Sequence, residues 1–394
     1  MEASARSRLV TPEFALLVGA NSAVFASFGM LLLTLPLYAR DALGASDLAV
    51  GLAIGGASFG AIVAGPPSGR LADRRGARGL LLGGAAVMAA GYLFLALEPP
   101  LGAIVPVRIV VGAAEAAFVV AVFAVTTDLA PEHRRGEAIS LLTAGSYFGL
   151  AIGPITANLI IEDGGFPVVW LVAALSVAAA GAASLSLPRR HHGDGDAPHG
   201  WLPPRSALLP GVVLLCALIG FGGFNAFVAL YARDIGLDRP GLVFAVFAGV
   251  VVAVRVAGRK LPDRLGPRTA ASTACILVAC GLVIVGAWPS VTGLLIGTAI
   301  FAAGQAFAYP AIALLATARA APAEKSAAVG AVIAFVDVAL ATGAFILGIA
   351  AEAAGYRAVF LAGALSAAVG LVLLLRIRAR SGAVIEQEAV VERA

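Results

Sequence analysis

The chain is a succession of apolar runs about 20 residues long, divided by short polar breaks. A helix rising 1.5 Å per residue needs roughly that many apolar residues to cross a hydrocarbon core of about 30 Å, whereas an outer-membrane barrel strand alternates over roughly 10. The runs therefore predict membrane-spanning helices. Hydropathy places twelve of them, at about 13–39, 47–68, 79–97, 101–129, 136–161 and 166–187, and then at 207–232, 239–258, 269–288, 291–318, 327–352 and 356–377. The expected units are a first six-helix bundle over 1–187, a polar linker over 188–206, a second bundle over 207–378 and a polar, disordered tail over 379–394. Charged residues make up only 13% of the chain and hydrophobic ones 60%, far from the roughly one quarter charged of a soluble domain.

One of the breaks occurs twice. Gly69-Arg70-Leu71-Ala72-Asp73-Arg74-Arg75-Gly76-Ala77-Arg78 is echoed by Arg259-Lys260-Leu261-Pro262-Asp263-Arg264-Leu265-Gly266-Pro267-Arg268, and Tyr38-Ala39-Arg40-Asp41 by Tyr231-Ala232-Arg233-Asp234. The offsets of 190 and 193 nearly agree. Internal repetition in an apolar chain marks transporters assembled from two related halves.

The basic residues are distributed unevenly. Of 27 Lys and Arg, only Arg40, Arg233, Arg239 and Arg357 fall on one side of the predicted membrane, and Arg108 and Arg255 lie inside spans; the other 21 share the opposite side. The positive-inside rule makes that side cytoplasmic, with both termini on it, in a bacterial-type inner membrane. The net charge of +4 thus reflects topology and gives no reason to expect nucleic acid. Cys216, Cys275 and Cys280 lie within apolar spans and read as small hydrophobes. His191, His192 and His199 stand near Asp194 and Asp196 in the linker, where solvation is expected rather than a metal site.

The repeated loop resembles the signature loop of the major facilitator superfamily, and the twelve spans and doubled half match that family along nearly the whole chain. The fold expected from the resemblance is all-α: twelve transmembrane helices in two pseudo-symmetric six-helix bundles. Gly69, Asp73, Arg74, Gly76 and Arg78, with Asp128 or Glu137 as partners and Asp263 and Arg264 in the second copy, would form a conformational latch between the halves, aided by helix N-termini. Two further segments resemble the drug-proton antiporter branch. In span four, Arg108, Gly112 and Ala116 match its Arg-containing motif, with Val111 where Gln is usual. In span five, Gly149, Gly153 and Pro154 match its antiporter motif, with Ala157-Asn158 where Gly-Gly is usual. Glycines at that spacing also serve close helix packing in any membrane protein.

Of 23 acidic residues, only Glu115 and Asp337 fall near the middle of a span. Charge at that depth costs roughly 2.5–3.5 kcal/mol on insertion scales and marks functional cavities. A carboxylate in a low-dielectric cavity titrates nearer to neutral pH and so loads and releases protons. Glu115, Asp337 and Arg108 are therefore the expected proton-coupling groups. Arg108 and Glu115 lie two turns apart on similar faces, about 10 Å in rise and too far for a direct pair. Gln305 is the half-repeat counterpart of Glu115. Expected substrate contacts are Asn21, Phe28, Phe118, Phe224, Asn225, Gln305 and Tyr309, an apolar and aromatic set that favours a lipophilic substrate over a sugar. Many drug exporters of the branch carry an acid in span one; this chain has Asn21 there.

These features point to proton-coupled efflux of hydrophobic or amphipathic small molecules by a monomer embedded in lipid, with the proton gradient as driving force and no cofactor. A lipid flippase and a metabolite uptake or uniport carrier remain alternatives. An enzyme is not expected: all four histidines, His133, His191, His192 and His199, lie in loops.

Overall fold

The computed structural model describes residues 9–187, 205–257, 266–318 and 325–391. Among the described residues eleven α-helices follow in order: α1 (Pro12–Asp41), α2 (Asp47–Arg75), α3 (Ala77–Leu95), α4 (Leu101–Leu129), α5 (Arg135–Ala183), α6 (Arg205–Asp234), α7 (Gly241–Ala257), α8 (Pro267–Ala287), α9 (Val291–Ala318), α10 (Lys325–Ala354) and α11 (Tyr356–Val391). Ten of these helices are long and apolar enough to cross a membrane, and the shorter α7 is also apolar. The 49-residue α5 is more than twice as long as a bilayer requires and changes direction at Gly165, whose φ of 68° and ψ of −175° break the helix. It holds the two apolar runs expected as spans five and six. A helix satisfies every interior backbone group by itself, the condition for entering lipid.

Local chemistry sets the helix ends. Thr11 caps α1 by accepting a hydrogen bond from the Phe14 amide at 3.2 Å, with Pro12 in the first helical position. Gly76 joins α2 to α3 with a φ of 82°, and Gly266 opens α8 with a φ of 75°. Both lie in the repeated loop, 190 residues apart, and both adopt the left-handed region that side chains avoid. Gly165 and Gly355 (φ 77°) form a second positive-φ pair at the same offset.

The repeat extends to tertiary contacts. Arg78 donates to the carbonyls of Leu185 and Leu187, where α5 ends. Arg268, its counterpart, donates at 3.2 Å to the Leu374 carbonyl in α11. The Tyr38 hydroxyl donates to the Pro99 carbonyl at 3.2 Å, and that of Tyr231 to Val285 at 2.8 Å. Each half is thus tied at both ends by equivalent bonds.

Three sequence expectations change. The polar tail from 379 was expected to be disordered, but α11 continues to Val391; its Arg, Ala, Glu and Gln residues are good helix formers. Glu137 does not serve the repeated loop, because Arg134 holds both of its carboxylate oxygens at 2.8 Å. Burial does not place a charge there: the pair is at the surface, and its hydrogen bonds raise the Arg134 pKa above its ordinary value. Arg78 binds the end of its own half rather than the other half.

Candidate functional site

The halves meet closely on the face away from the basic loops. Arg233 pairs with Asp41, Arg239 Nε lies 3.6 Å from Glu162 Oε1, and the Leu48 amide donates to Glu352 Oε2 at 3.2 Å. Glycines bring the helices to backbone contact. A Cβ on Gly51 or Gly55 of α2 would press into the Ala344 or Ala341 carbonyl of α10, and one on Gly241 of α7 would press into that of Pro154 in α5. Between the halves lies a small cavity. Phe28, Leu32, Ile54 and Leu340 form its apolar wall, and Ser58, Arg108 and Asn225 supply its polar side chains.

Arg108 owes its position to glycine packing. Gly112, one turn further along α4, faces the Ala57 carbonyl, and Gly60 of α2 faces that of Ile109; neither site has room for a Cβ. This approach buries Arg108 to 1% exposure and lets its Nε donate to the Ala53 carbonyl at 3.4 Å. Its Nη1 is buried without a hydrogen-bond partner. Tyr92 lies within electrostatic reach of Arg108 and Glu115.

Glu115 is the central residue of α4 and is half-buried. It lies within electrostatic reach of Arg108 and of Asp337 on α10, in the other half. Among the described residues neither carboxylate makes an ion pair. The three charges picked from the sequence therefore share one region, as separate groups and not as a closed network. The fourth intramembrane charge is also placed between the halves: Arg255 of α7 donates to the Tyr147 hydroxyl of α5 at 3.1 Å, with its guanidinium 4.6 Å from the ring centroid.

Of the expected substrate contacts, Phe28 and Asn225 line the cavity. Asn21 does not: it is buried in the first half, and its amide nitrogen donates to the Leu142 carbonyl at 3.3 Å and to Ser146 Oγ at 2.7 Å. Phe118 is fully buried against Gly84 of α3. Phe224 is fully buried in an aromatic cluster, 5.0 Å from Phe301 and 5.7 Å from Phe247. These three are packing groups, for aromatic surface and amides settle into helix contacts wherever partners exist. Gln305 is buried and donates to the Ala217 carbonyl at 3.4 Å, and Tyr309 packs on the apolar core of the second half. Ser58 and Leu340 were missed by sequence reasoning; a lone Ser or Leu in an apolar span carries no distinguishing signal.

Gly149 and Gly153 of α5 pack against the Ser22 and Ala26 carbonyls of α1, and Pro154 meets Gly29. The antiporter-like segment thus packs on α1 within the first half, while its Pro154 carbonyl also faces Gly241 of α7 in the second. Of the expected latch residues, Gly69 has open space where a side chain would be, Arg74 is exposed, and Asp128 ends α4 at the basic-loop face. Asp263, Arg264 and the linker histidines lie outside the described residues, as does the side chain of Asp73.

The model of the Major Facilitator Superfamily matches residues 17–290 and 211–392, which together cover most of the chain. The chain belongs to the major facilitator superfamily. An uncharacterised MFS-type transporter of Salmonella typhimurium is 30% identical over 372 residues, covering 89% of this chain and 94% of that protein. One from Pseudomonas aeruginosa is 27% identical, with 91% of each chain covered. Among solved structures, a mutant of the nucleoside transporter NupG superposes with a TM-score of 0.78 at 14% identity, covering 92% of this facilitator and 99% of NupG. A POT family transporter in complex with a thioalcohol-conjugated peptide gives the same TM-score at 14% identity, with 94% and 96% covered. At that identity the likeness concerns the fold. This facilitator is accordingly a multi-pass membrane transporter.

Proposed function

We propose that this transporter exports hydrophobic or amphipathic small molecules from the bacterial cytoplasm in exchange for protons, working as a monomer in the inner membrane with both termini inside. The observation that carries the reading is the placement of Glu115. It sits at mid-depth and half-buried, with no ion-pair partner among the described residues and with Asp337 of the other half in electrostatic reach. A carboxylate so placed is costly unless it is used. In alternating access the halves rock about a central site, so groups contributed by both halves change their access together. Glu115 and Asp337 would take protons from one side and release them to the other. Arg108 would set how readily Glu115 ionises, and the cavity beside Phe28 and Asn225 would hold the substrate. The basic loop around Asp73 would hold the cytoplasmic face in the opposite conformation.

The test is lumenal pH in proteoliposomes on addition of lipophilic cations and neutral amphipaths, wild type against Glu115→Gln. Substrate-dependent proton movement that vanishes in the variant supports exchange at Glu115. Substrate flux without proton movement favours the uniport or flippase alternatives, and full coupled activity in Glu115→Gln removes that residue from the mechanism.

A further inference from the structure

We infer that the substrate is an amphipathic zwitterion: an anionic acceptor group seated on Arg108, a cationic group at the Glu115 and Asp337 carboxylates, and an apolar body between them. The inference rests on the reading of the central cavity as the substrate site and deepens it to a chemical class.

Arg108 is the first observation. It is a fully buried guanidinium whose single protein hydrogen bond, among the described residues, uses Nε, while Nη1 has no partner. A buried charged donor left unmatched is costly and calls for an acceptor. Ser58 and Asn225 line the same cavity from opposite halves and add donors suited to an oxyanion. A purely cationic or apolar substrate would leave Nη1 unmatched.

The carboxylates are the second observation, and neither lines the cavity itself. α4 runs from the far face toward the basic loops, so Glu115 lies two turns, about 10 Å, closer to those loops than Arg108. α10 runs the other way, so Asp337 lies about one turn, roughly 5 Å, closer to them than Leu340, which shares the cavity with Arg108. A layer of two like charges from opposite halves thus lies below a single buried cation. A purely anionic substrate would enter past that layer and add a third negative charge near one arginine. A ligand with both signs, separated by about 5–10 Å along the membrane normal, matches both ends. Phe28, Leu32, Ile54 and Leu340, which line the cavity beside Arg108, offer apolar surface to the body of the ligand. The cationic end would occupy the carboxylates that otherwise take protons, so substrate and proton exclude one another, as exchange requires.

The ω-amino acids from 6-aminohexanoate to 8-aminooctanoate span that separation and serve as probes. Their binding to the purified protein in nanodiscs is compared with that of the N-acetyl derivative (anion only), the methyl ester (cation only) and the doubly capped compound. At least one free ω-amino acid is expected to bind tenfold or more tightly than each of its capped forms. Arg108→Gln should erase the advantage of the free acid over its ester, and Asn225→Leu should reduce it should Arg108→Gln fail to fold. Equal or tighter binding by the ester, equal or tighter binding by the N-acetyl form, or no binding by any member overturns the proposal. Binding selectivity is read without a proton gradient. Selective binding with no proton movement in proteoliposomes would therefore overturn exchange and leave the substrate class standing, and proton-coupled drug flux without zwitterion selectivity would do the reverse.

Discussion

Arg233 forms an ion pair with Asp41, joining the second copy of the Tyr-Ala-Arg-Asp repeat to the first across the boundary between the halves. The repeat that signals duplication thus also supplies a clasp on the face away from the basic loops. Both side chains are nearly half exposed, and exposed pairs contribute at most about 1 kcal/mol. Asp41→Ala or Arg233→Ala should therefore shift the balance toward far-face opening by no more than about fivefold. The exchange Asp41→Arg with Arg233→Asp should restore it. Spin-label distances across that face check both outcomes, and an unchanged distribution in both single variants would show that the face stays shut without this pair.

That packing gives a second prediction. A Cβ at Gly112 would collide with the Ala57 backbone, whereas one at Gly102 of the same helix meets nothing within 4 Å. Overpacking costs about 1–3 kcal/mol, more when backbone must move. Gly112→Val should lower the melting temperature and displace Arg108, while Gly102→Ala should leave melting unchanged. Thermal unfolding in detergent with a thiol-reactive dye reads both.

The loop glycines give a third. Gly76 and Gly266 hold equivalent conformations with positive φ and extended ψ, which cost other residues about 1–3 kcal/mol. Gly76→Ala and Gly266→Ala should lower stability by similar amounts, and Gly69→Ala, in a helix with open space around it, should not. Melting of the three variants side by side makes the comparison, and a silent Gly266→Ala would break the equivalence.

Spans, halves and the mid-depth charges were legible because each is a strong local signal: run length, repetition, and ionisable residues where lipid penalises them. Arg108, Glu115 and Asp337 stand out in the sequence on cost alone. Asn21, Phe118 and Phe224 lie in helix contacts and not in the cavity, which the sequence could not show because a span does not distinguish the face toward a cavity from the face toward a neighbouring helix; burial of Asn21 against Leu142 and Ser146 is a property of two helices together. The role of the glycine stripe in α5 was legible as close packing, but its partner, α1, was not. Nor could sequence show that the face held by Arg233 and Asp41 would be the closed one, since a rocking transporter must be able to close either face.

Arg255 and Tyr147 supply the last prediction. They connect α7 to α5 near the basic-loop end of α7, by a hydrogen bond at 3.1 Å and by the guanidinium lying 4.6 Å from the ring centroid. The two interactions separate by substitution. Tyr147→Phe keeps the ring and loses the hydrogen-bond acceptor; Tyr147→Ala loses both. A cation over an aromatic face contributes roughly 0.5–1 kcal/mol at partly exposed sites, and a hydrogen bond to a charged group about 1.5–3 kcal/mol. If the contact restrains the opening of the basic-loop face, Tyr147→Phe should increase labelling of a cysteine placed in the cavity from that side, and Tyr147→Ala should increase it further. In a double-mutant cycle, Arg255→Ala should make the two Tyr147 substitutions indistinguishable. Additive effects in that cycle would mean that each residue acts on access without the other.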